Sequence, residues 1–189
     1  MLNAEYWRNR YQLNEIGWDI GEVSTPLKKY FDQLKDKSIR ILIPGCGNAY
    51  EAKYLIQNGF TNITVLDFAE QPLERLKIEL GESDNIYFFN ENFFDHQGEY
   101  DLIIEQTFFC ALNPTERMRY AEKMKELLST KGKLVGLLFN REFQGGPPFG
   151  GNEIEYRSYF EKVFDEIKIE PCYNSINPRL NSELFIQLS

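Results

Sequence analysis

The sequence has one histidine and three cysteines among 189 residues. His96 alone cannot assemble the three or four donors of a zinc site, and Cys46, Cys110 and Cys172 lack the pair spacing of metal or redox motifs. No metal site is expected. A sparse, odd cysteine count also excludes a disulfide framework and fits a reduced, cytoplasmic setting. No apolar run approaches the roughly 18–20 residues of a membrane span. The first ten residues carry Glu5, Arg8 and Arg10 where a signal peptide needs an apolar core. Basic clusters are missing too: Lys28-Lys29 is the only adjacent pair, and the formal net charge is −8. Nucleic-acid binding needs a concentrated basic face, so a nucleic-acid partner is excluded and a small-molecule partner expected. Internal repeats, low-complexity tracts and linkers are absent. The chain therefore reads as one domain over 1–189, with an N-terminal helical segment over 1–37 and a core over 38–189, as a monomer or weak homodimer.

Glycine-punctuated apolar runs are present. Ile39 to Ile43 is apolar at four of five places and ends in Pro44-Gly45-Cys46-Gly47-Asn48-Ala49-Tyr50. A second apolar run, Ile63 to Leu66, ends in Asp67, 22 positions after Gly45. Strand, glycine turn, helix, strand and acid make the first unit of a nucleotide-binding sheet. Gly45 permits the sharp turn, and Gly47 lets backbone approach a ligand without a Cβ in between. An acid about 20 residues on hydrogen-bonds ribose hydroxyls. A dinucleotide fingerprint requires glycine at the sixth place, which here is Tyr50. That argues against an NAD-linked oxidoreductase. A ligand-free βαβ turn would use the same residues.

Strands are expected at 39–43, 63–66, 86–89, 100–105, 133–139, 164–170 and 183–188, and helices at 3–14, 25–35, 49–58, from about 70 to before Gly81, from Asn113-Pro114 to about Leu128, and 152–162. Thr25 is read as the cap of the second helix, with Pro26 in its first turn. Gly145-Gly146-Pro147-Pro148 makes 140–151 an irregular loop. Alternation of strand and helix predicts an α/β, Rossmann-like, doubly wound, mostly parallel seven-stranded sheet, with strands six and seven an antiparallel pair at one edge. In such sheets ligands bind at the carboxyl ends of the strands, where Gly45 to Gly47, Asp67, Asn92-Phe93, Glu105-Gln106 and Asn140-Arg141 all fall. Tyr6, Trp7, Tyr11 and Trp18 give the first 20 residues an aromatic face. They either pack on the core or roof the ligand as a lid.

Several of these stretches resemble the thiopurine and thiol methyltransferase family of class I S-adenosylmethionine (SAM) methyltransferases, which includes halide/thiol enzymes. Tyr6-Trp7-x-x-Arg10-Tyr11 with Gly17-Trp18-Asp19 is similar to its Trp-rich opening. Leu42-Ile43-Pro44-Gly45-Cys46-Gly47, Asn92-Phe93-Phe94-Asp95, Thr107-Phe108-Phe109-Cys110-Ala111-Leu112, Gly145-Gly146-Pro147-Pro148-Phe149 and Asn174-Ser175-Ile176 with Arg179 complete the set. The resemblance covers nearly the whole chain. It implies that Trp7, Tyr11 and Trp18 surround the sulfonium and amino-acid part of SAM, with Gly45, Cys46 and Gly47 at its methionine end. Asp67 would hold the ribose with Phe68 beside it, Asn92 and Phe93 would meet the adenine, and Gln106 would lie at the carboxylate or methyl end. Tyr11 stands where many relatives have Trp, Asn92 where Asp is usual, and Glu105-Gln106 where thiopurine enzymes have Asp-Arg. The last change removes a bidentate cation and argues against thiopurine specificity.

Methyl transfer from a sulfonium is an in-line displacement with a neutral leaving group, so no catalytic acid, base or nucleophile is expected. A thiol acceptor already supplies some thiolate at neutral pH. The expected activity is S-methylation of a small thiol; a halide or thiopurine acceptor and a non-catalytic SAM sensor are the alternatives. Phe139, Arg141 and Phe149 are candidates for the acceptor side, although an ion pair or a self-packed proline loop explains them as well. His96 is read as a solvated loop residue, Cys46 as a packing residue in the turn, and Cys110 as a residue at the core edge.

Overall fold

The computed structural model describes residues 2–81 and 83–189. They form two compact units, Met1–His96 and Gln97–Ser189.

The first unit opens with α1 (Ala4–Gln12) and α2 (Thr25–Phe31) and continues as β1 (Ile41–Pro44), α3 (Tyr50–Gln57), β2 (Ile63–Leu66), α4 (Glu70–Leu80) and β3 (Ile86–Phe89). β1 and β2 have no polar-apolar alternation, because every residue of both is buried. That is the pattern of parallel strands covered on both faces. β1 pairs with β2 in parallel from Ile41↔Ile63 to Pro44↔Leu66, and β2 with β3 from Ile63↔Ile86 to Leu66↔Phe89. α3 buries Ala52 and Leu55, and α4 buries Pro72, Leu73 and Leu76, each set at helical spacing. Asn3 caps α1 by accepting from the Tyr6 amide at 3.0 Å.

Two boundaries of the second helix differ from the sequence reading. Ser24, not Thr25, is the N-cap of α2, although Pro26 does occupy its first turn. The helix also stops at Phe31 rather than about Lys35, because the amides of Gln33 and Leu34 bond three residues back, to Tyr30 and Phe31, and tighten the turn.

The second unit holds β4 (Tyr100–Gln106), α5 (Arg117–Leu127), β5 (Leu128–Phe139), α6 (Glu153–Phe160), β6 (Ile167–Pro171) and β7 (Glu183–Leu188). Asn113 caps a single 3₁₀ turn, Pro114–Glu116, which leads into α5. β5 begins five residues earlier than expected. Its first residues pair irregularly, with a shift between Tyr100↔Leu128 and Leu102↔Lys133, and regular register starts only at Lys133. β4 and β5 are parallel, β7 is antiparallel to β5, and β6 is antiparallel to β7. The expected antiparallel pair is therefore present, with β7 as the reversed strand and β6 outside it. Tyr120, Phe109, Phe160, Leu134, Val135 and Ile186 form the core of this unit. The loop after β5 is irregular and closed by a bridge between Arg141 and Gly151.

The strand order is β3-β2-β1 within the first unit and β4-β5-β7-β6 within the second, and the fold is α/β and Rossmann-like. Among the described residues no helix is long and apolar enough to cross a membrane.

Candidate functional site

The glycine turn after β1 is built from backbone geometry. Gly45, Gly47 and Ala49 all have left-handed φ, at 57°, 50° and 51°. Alternating left-handed residues wind the chain tightly from β1 into α3, whose N-cap is Ala49. Gly47 is the position where this matters most. A Cβ there would lie 2.7 Å from the Tyr11 hydroxyl and would require a φ that other side chains disfavour. The bare backbone of Gly47 is thus in contact with a side chain from α1.

Asp67, at the end of β2, closes the other side of the turn. Its Oδ2 accepts from the Gly47 amide at 2.9 Å, and its Oδ1 accepts from the Ala69 amide at 2.8 Å. Burial pushes its pKa up to about 6, against the pull of these amide bonds. The Phe68 amide bonds it too, and since a carboxylate has about four lone-pair sites, about one is left for a hydroxyl donor. Asn90 fixes the same strand end by donating to the carbonyls of Asp67 at 2.9 Å and Phe68 at 3.0 Å.

The aromatic opening packs here. Trp18 meets Trp7 edge-on at 5.6 Å and Tyr11 at 5.9 Å between ring centroids. Tyr11 is buried, Trp7 and Trp18 are half-buried, and the Arg75 guanidinium of α4 lies 5.9 Å from the Tyr11 ring centre. Burial, and next the charge of Asp67, hold the Tyr11 phenol above its usual range. Thus Trp7, Tyr11, Trp18, Gly47 and Asp67, taken from four separate stretches, form one cluster. The Cys46 thiol is buried in it, pushed up chiefly by desolvation, which fits a packing residue and not a nucleophile.

A tether here is absent from the sequence reading. Asp19 Oδ2 accepts from the Asn48 side-chain amide and from the Tyr50 hydroxyl at 3.2 Å, while its Oδ1 accepts from the Gly21 amide at 2.7 Å. Tyr50, the residue that replaces the third fingerprint glycine, thereby holds the N-terminal segment against the start of α3. Its partner is 31 residues away, and no local periodicity signals such a contact.

After β3, Asn92 caps the 3₁₀ turn Phe93–Asp95 by accepting from the Phe94 amide at 3.1 Å, and Phe93 is buried. His96 corrects an expectation. It is 1% exposed, not solvated; its Nδ1 lies 2.6 Å from Glu91 and its ring meets Phe89 at 4.9 Å. The polar neighbours in sequence concealed a buried position between a carboxylate and an aromatic ring.

In the second unit, Gln106 ends β4 and is followed by Thr107 at φ 62°, a strained value for a β-branched residue. Glu105 holds this turn. It is fully buried; its Oε1 accepts from the amides of Phe108 at 2.8 Å and Phe109 at 2.9 Å, and its Oε2 accepts from the Tyr120 hydroxyl at 2.6 Å. Desolvation pushes its pKa up to about 7. Gly136, its partner on β5, leaves it room: a Cβ there would come within 2.3 Å of the Glu105 Cβ. Cys110 is more deeply buried than expected, and burial pushes its thiol up to about 12.

The acceptor candidates of this unit split. Phe139 is half-buried, meets Phe143 at 4.9 Å and lies under the Arg179 guanidinium at 5.4 Å. Arg141 is exposed and covers Phe143 at 4.8 Å. Phe149 packs back on its own loop, where a Cβ at Gly146 would meet its ring at 2.4 Å. Buried Arg117 staples that loop by donating to the Gly150 carbonyl at 2.8 Å and pairing with Glu155 at 2.5 Å. Among the described residues no group of three metal-binding side chains occurs.

Residues 2–182 match the family model described as Thiopurine S-methyltransferase (TPMT). The chain is similar to the probable thiol methyltransferase 2 of Arabidopsis thaliana, 28% identical over 184 residues, covering 94% of this chain and 81% of that protein. It is likewise similar to the thiopurine S-methyltransferase of Vibrio cholerae serotype O1, 27% identical over 197 residues, covering 92% and 90%. Among solved structures it resembles the 1,6-didemethyltoxoflavin-N1-methyltransferase of Burkholderia thailandensis, determined with that substrate and S-adenosylhomocysteine. The TM-score is 0.75 at 14% identity, covering 98% of this chain and 85% of the other, a likeness of fold.

Proposed function

The chain belongs to the thiopurine S-methyltransferase family, SAM-dependent methyltransferases, and on that premise we propose that it transfers the methyl of SAM to the sulfur of a small thiol in the cytoplasm. The observation that carries this reading is the cluster of Gly47, Asp67, Tyr11 and Trp18. Its parts fit the group. The turn packs Tyr11 against backbone without a Cβ, the buried Asp67 carboxylate keeps an acceptor site for a ribose hydroxyl, and the rings of Trp7, Tyr11 and Trp18 offer electron-rich faces to a sulfonium. In this reading Gly45, Cys46 and Gly47 line the methionine end, Trp7, Tyr11 and Trp18 cover the sulfonium, and Phe68, Asn92 and Phe93 meet the adenine. By family resemblance alone, Gln106 serves the methyl end, and Phe139, Arg141 and Phe149 serve the acceptor. The whole chain acts as one catalytic domain, with residues 1–37 as its lid.

When bound, SAM supplies an electrophilic methyl group on a sulfonium. The residues of the chain then have two tasks, to exclude water and to align the acceptor; alignment alone supplies roughly 7–11 kcal/mol. Each ring facing the cation adds about 0.5–2 kcal/mol. Proton transfer is not required of the protein, since a thiol with a pKa near 8.5 ionises in part at neutral pH. The buried Cys46 and Cys110 thiols, both raised by desolvation, are unsuited to act as relays.

The test has two steps. S-adenosylhomocysteine at 100 times its Kd should stabilise the protein by about 2.7 kcal/mol, and NAD should leave the melting temperature unchanged. Turnover with SAM against thiols, thiopurines and halides should then give the highest kcat/KM with a thiol. A higher kcat/KM with a halide or thiopurine overturns the thiol assignment, and ligand binding without turnover of any acceptor makes the protein a sensor.

A further inference from the structure

We propose that Asp19 is a positioning residue for the cofactor, acting as the latch that fixes the N-terminal aromatic cluster over the glycine turn. The proposal rests on the SAM reading above. The aromatic cluster reaches the turn through Tyr11, whose hydroxyl meets the bare backbone of Gly47. α1 itself ends at Gln12, and the chain then leaves through Asn14 at a left-handed φ of 55°. Trp18 lies beyond that irregular stretch, where its ring packs on Trp7 and Tyr11 and under the Arg10 guanidinium of α1. Its neighbour Asp19 ties the same segment to the glycine turn. One carboxylate oxygen gathers two donors from the residues directly after the turn, Asn48 and Tyr50, and the other takes the Gly21 amide. A side chain one residue from Trp18 is thus bonded to a side chain one residue from Gly47. Moving the 18–21 segment away from the glycine turn requires these bonds to break.

The location of the partners adds to the argument. Asn48 and Tyr50 flank Ala49, the left-handed N-cap of α3, which makes no side-chain cap bond. The Tyr50 ring also carries the Lys53 ammonium at 5.2 Å, which fixes its orientation on the outer side of the helix. The Tyr50 side chain is therefore committed to the N-terminal segment. A fingerprint glycine at this place would leave Asp19 with one donor fewer.

The reading makes a ligand-specific prediction. The latched rings face the sulfonium and amino-acid part, whereas Asp67 faces the ribose. Loss of the latch should weaken ligands that carry the amino-acid part and spare those that end at sulfur. Asp19→Ala removes the bonds to Asn48, Tyr50 and Gly21 and should raise the calorimetric Kd for S-adenosylhomocysteine about tenfold. Methylthioadenosine, which lacks the amino acid, should bind Asp19→Ala within about twofold of wild type. Asp19→Asn keeps one oxygen able to accept from both Asn48 and Tyr50 but turns an NH2 to the Gly21 amide, itself a donor, so it should restore part of the affinity. Tyr50→Phe removes one donor without unseating the chain and should give an intermediate loss, about threefold, which keeps the test valid if Asp19→Ala folds poorly. If wild type binds S-adenosylhomocysteine and these variants bind it equally well, the latch is overturned and the SAM reading stands. Equal weakening of both ligands also overturns it, since a general loss of structure would do the same. If wild type binds neither ligand, the SAM reading itself falls, and the latch falls with it.

Discussion

Glu105→Gln isolates the energetic burden of a buried charge. The carboxyl is fully buried at the end of β4, with a pKa pushed from 4.5 to about 7 by desolvation. Its folded pKa lies above the unfolded value, so its contribution to stability is full below pH about 4.5 and is lost as pH rises through about 7. At about 1.4 kcal/mol per pH unit, the difference amounts to roughly 3 kcal/mol by pH 8. Glutamine preserves the geometry. Its carbonyl oxygen accepts from the amides of Phe108 and Phe109, and its amide donates to the Tyr120 oxygen, which reverses that bond just as protonation of the carboxyl does. The variant should match wild type near pH 4.5 and be more stable at pH 8, where a chain of this size gains roughly 5–10 °C from about 3 kcal/mol. Thermal unfolding at half-unit steps from pH 4.5 to 8.5 is the assay. An unchanged slope of melting temperature against pH, or a glutamine variant less stable than wild type at pH 8, refutes the reasoning. Either result would mean that Glu105 stays ionised without a penalty.

Four further outcomes follow from the cluster around Gly47, from His96 and from the loop staple. Asp67 should tie cofactor affinity to pH: with its carboxyl at about 6, calorimetry should find the Kd for S-adenosylhomocysteine about tenfold higher at pH 5 than at pH 7. In the same assay Asp67→Ala should weaken binding at least tenfold, whereas His96→Ala should lower the melting temperature and leave affinity within about twofold. Gly47→Ala adds about 1–3 kcal/mol of left-handed strain and pushes a methyl to 2.7 Å from the Tyr11 hydroxyl, so it should abolish measurable binding; adding Tyr11→Phe should recover part of it. Arg117→Ala leaves Glu155 unpaired and frees the Gly150 carbonyl, and should lower stability by about 3 kcal/mol, read as a shift of the urea midpoint.

Much of the architecture was legible because the local signals agree with the tertiary ones. Ile63 to Leu66 and Ile86 to Phe89 are short apolar runs between turn residues, and they form β2 and β3 with the expected limits. Boundaries shifted where tertiary pairing takes over from propensity. β5 extends back to Leu128 because Tyr100 offers it a partner across an irregular register, which no property of residues 128–132 announces. The glycine turn and Asp67 were visible from spacing, and their contact through the Gly47 amide follows from the adjacency of β1 and β2. His96 and Asp19 were misread or missed for a common reason. Each is defined by a partner outside its own element: Glu91 and Phe89 for His96, Asn48 and Tyr50 for Asp19. Glu105 could be seen to end a strand, but only the fold reveals that its charge is enclosed by amides and a buried phenol.

The central claim is methyl transfer from SAM to thiol sulfur, and one measurement addresses it most directly. The protein is mixed with SAM carrying a ¹³C-labelled methyl and with a small thiol, and the methyl resonance is followed by NMR. The account predicts loss of the sulfonium methyl signal and equal growth of a methyl thioether signal, with S-adenosylhomocysteine as the coproduct. A sulfonium signal that persists at the rate of the enzyme-free control, while S-adenosylhomocysteine binds the protein, would contradict it.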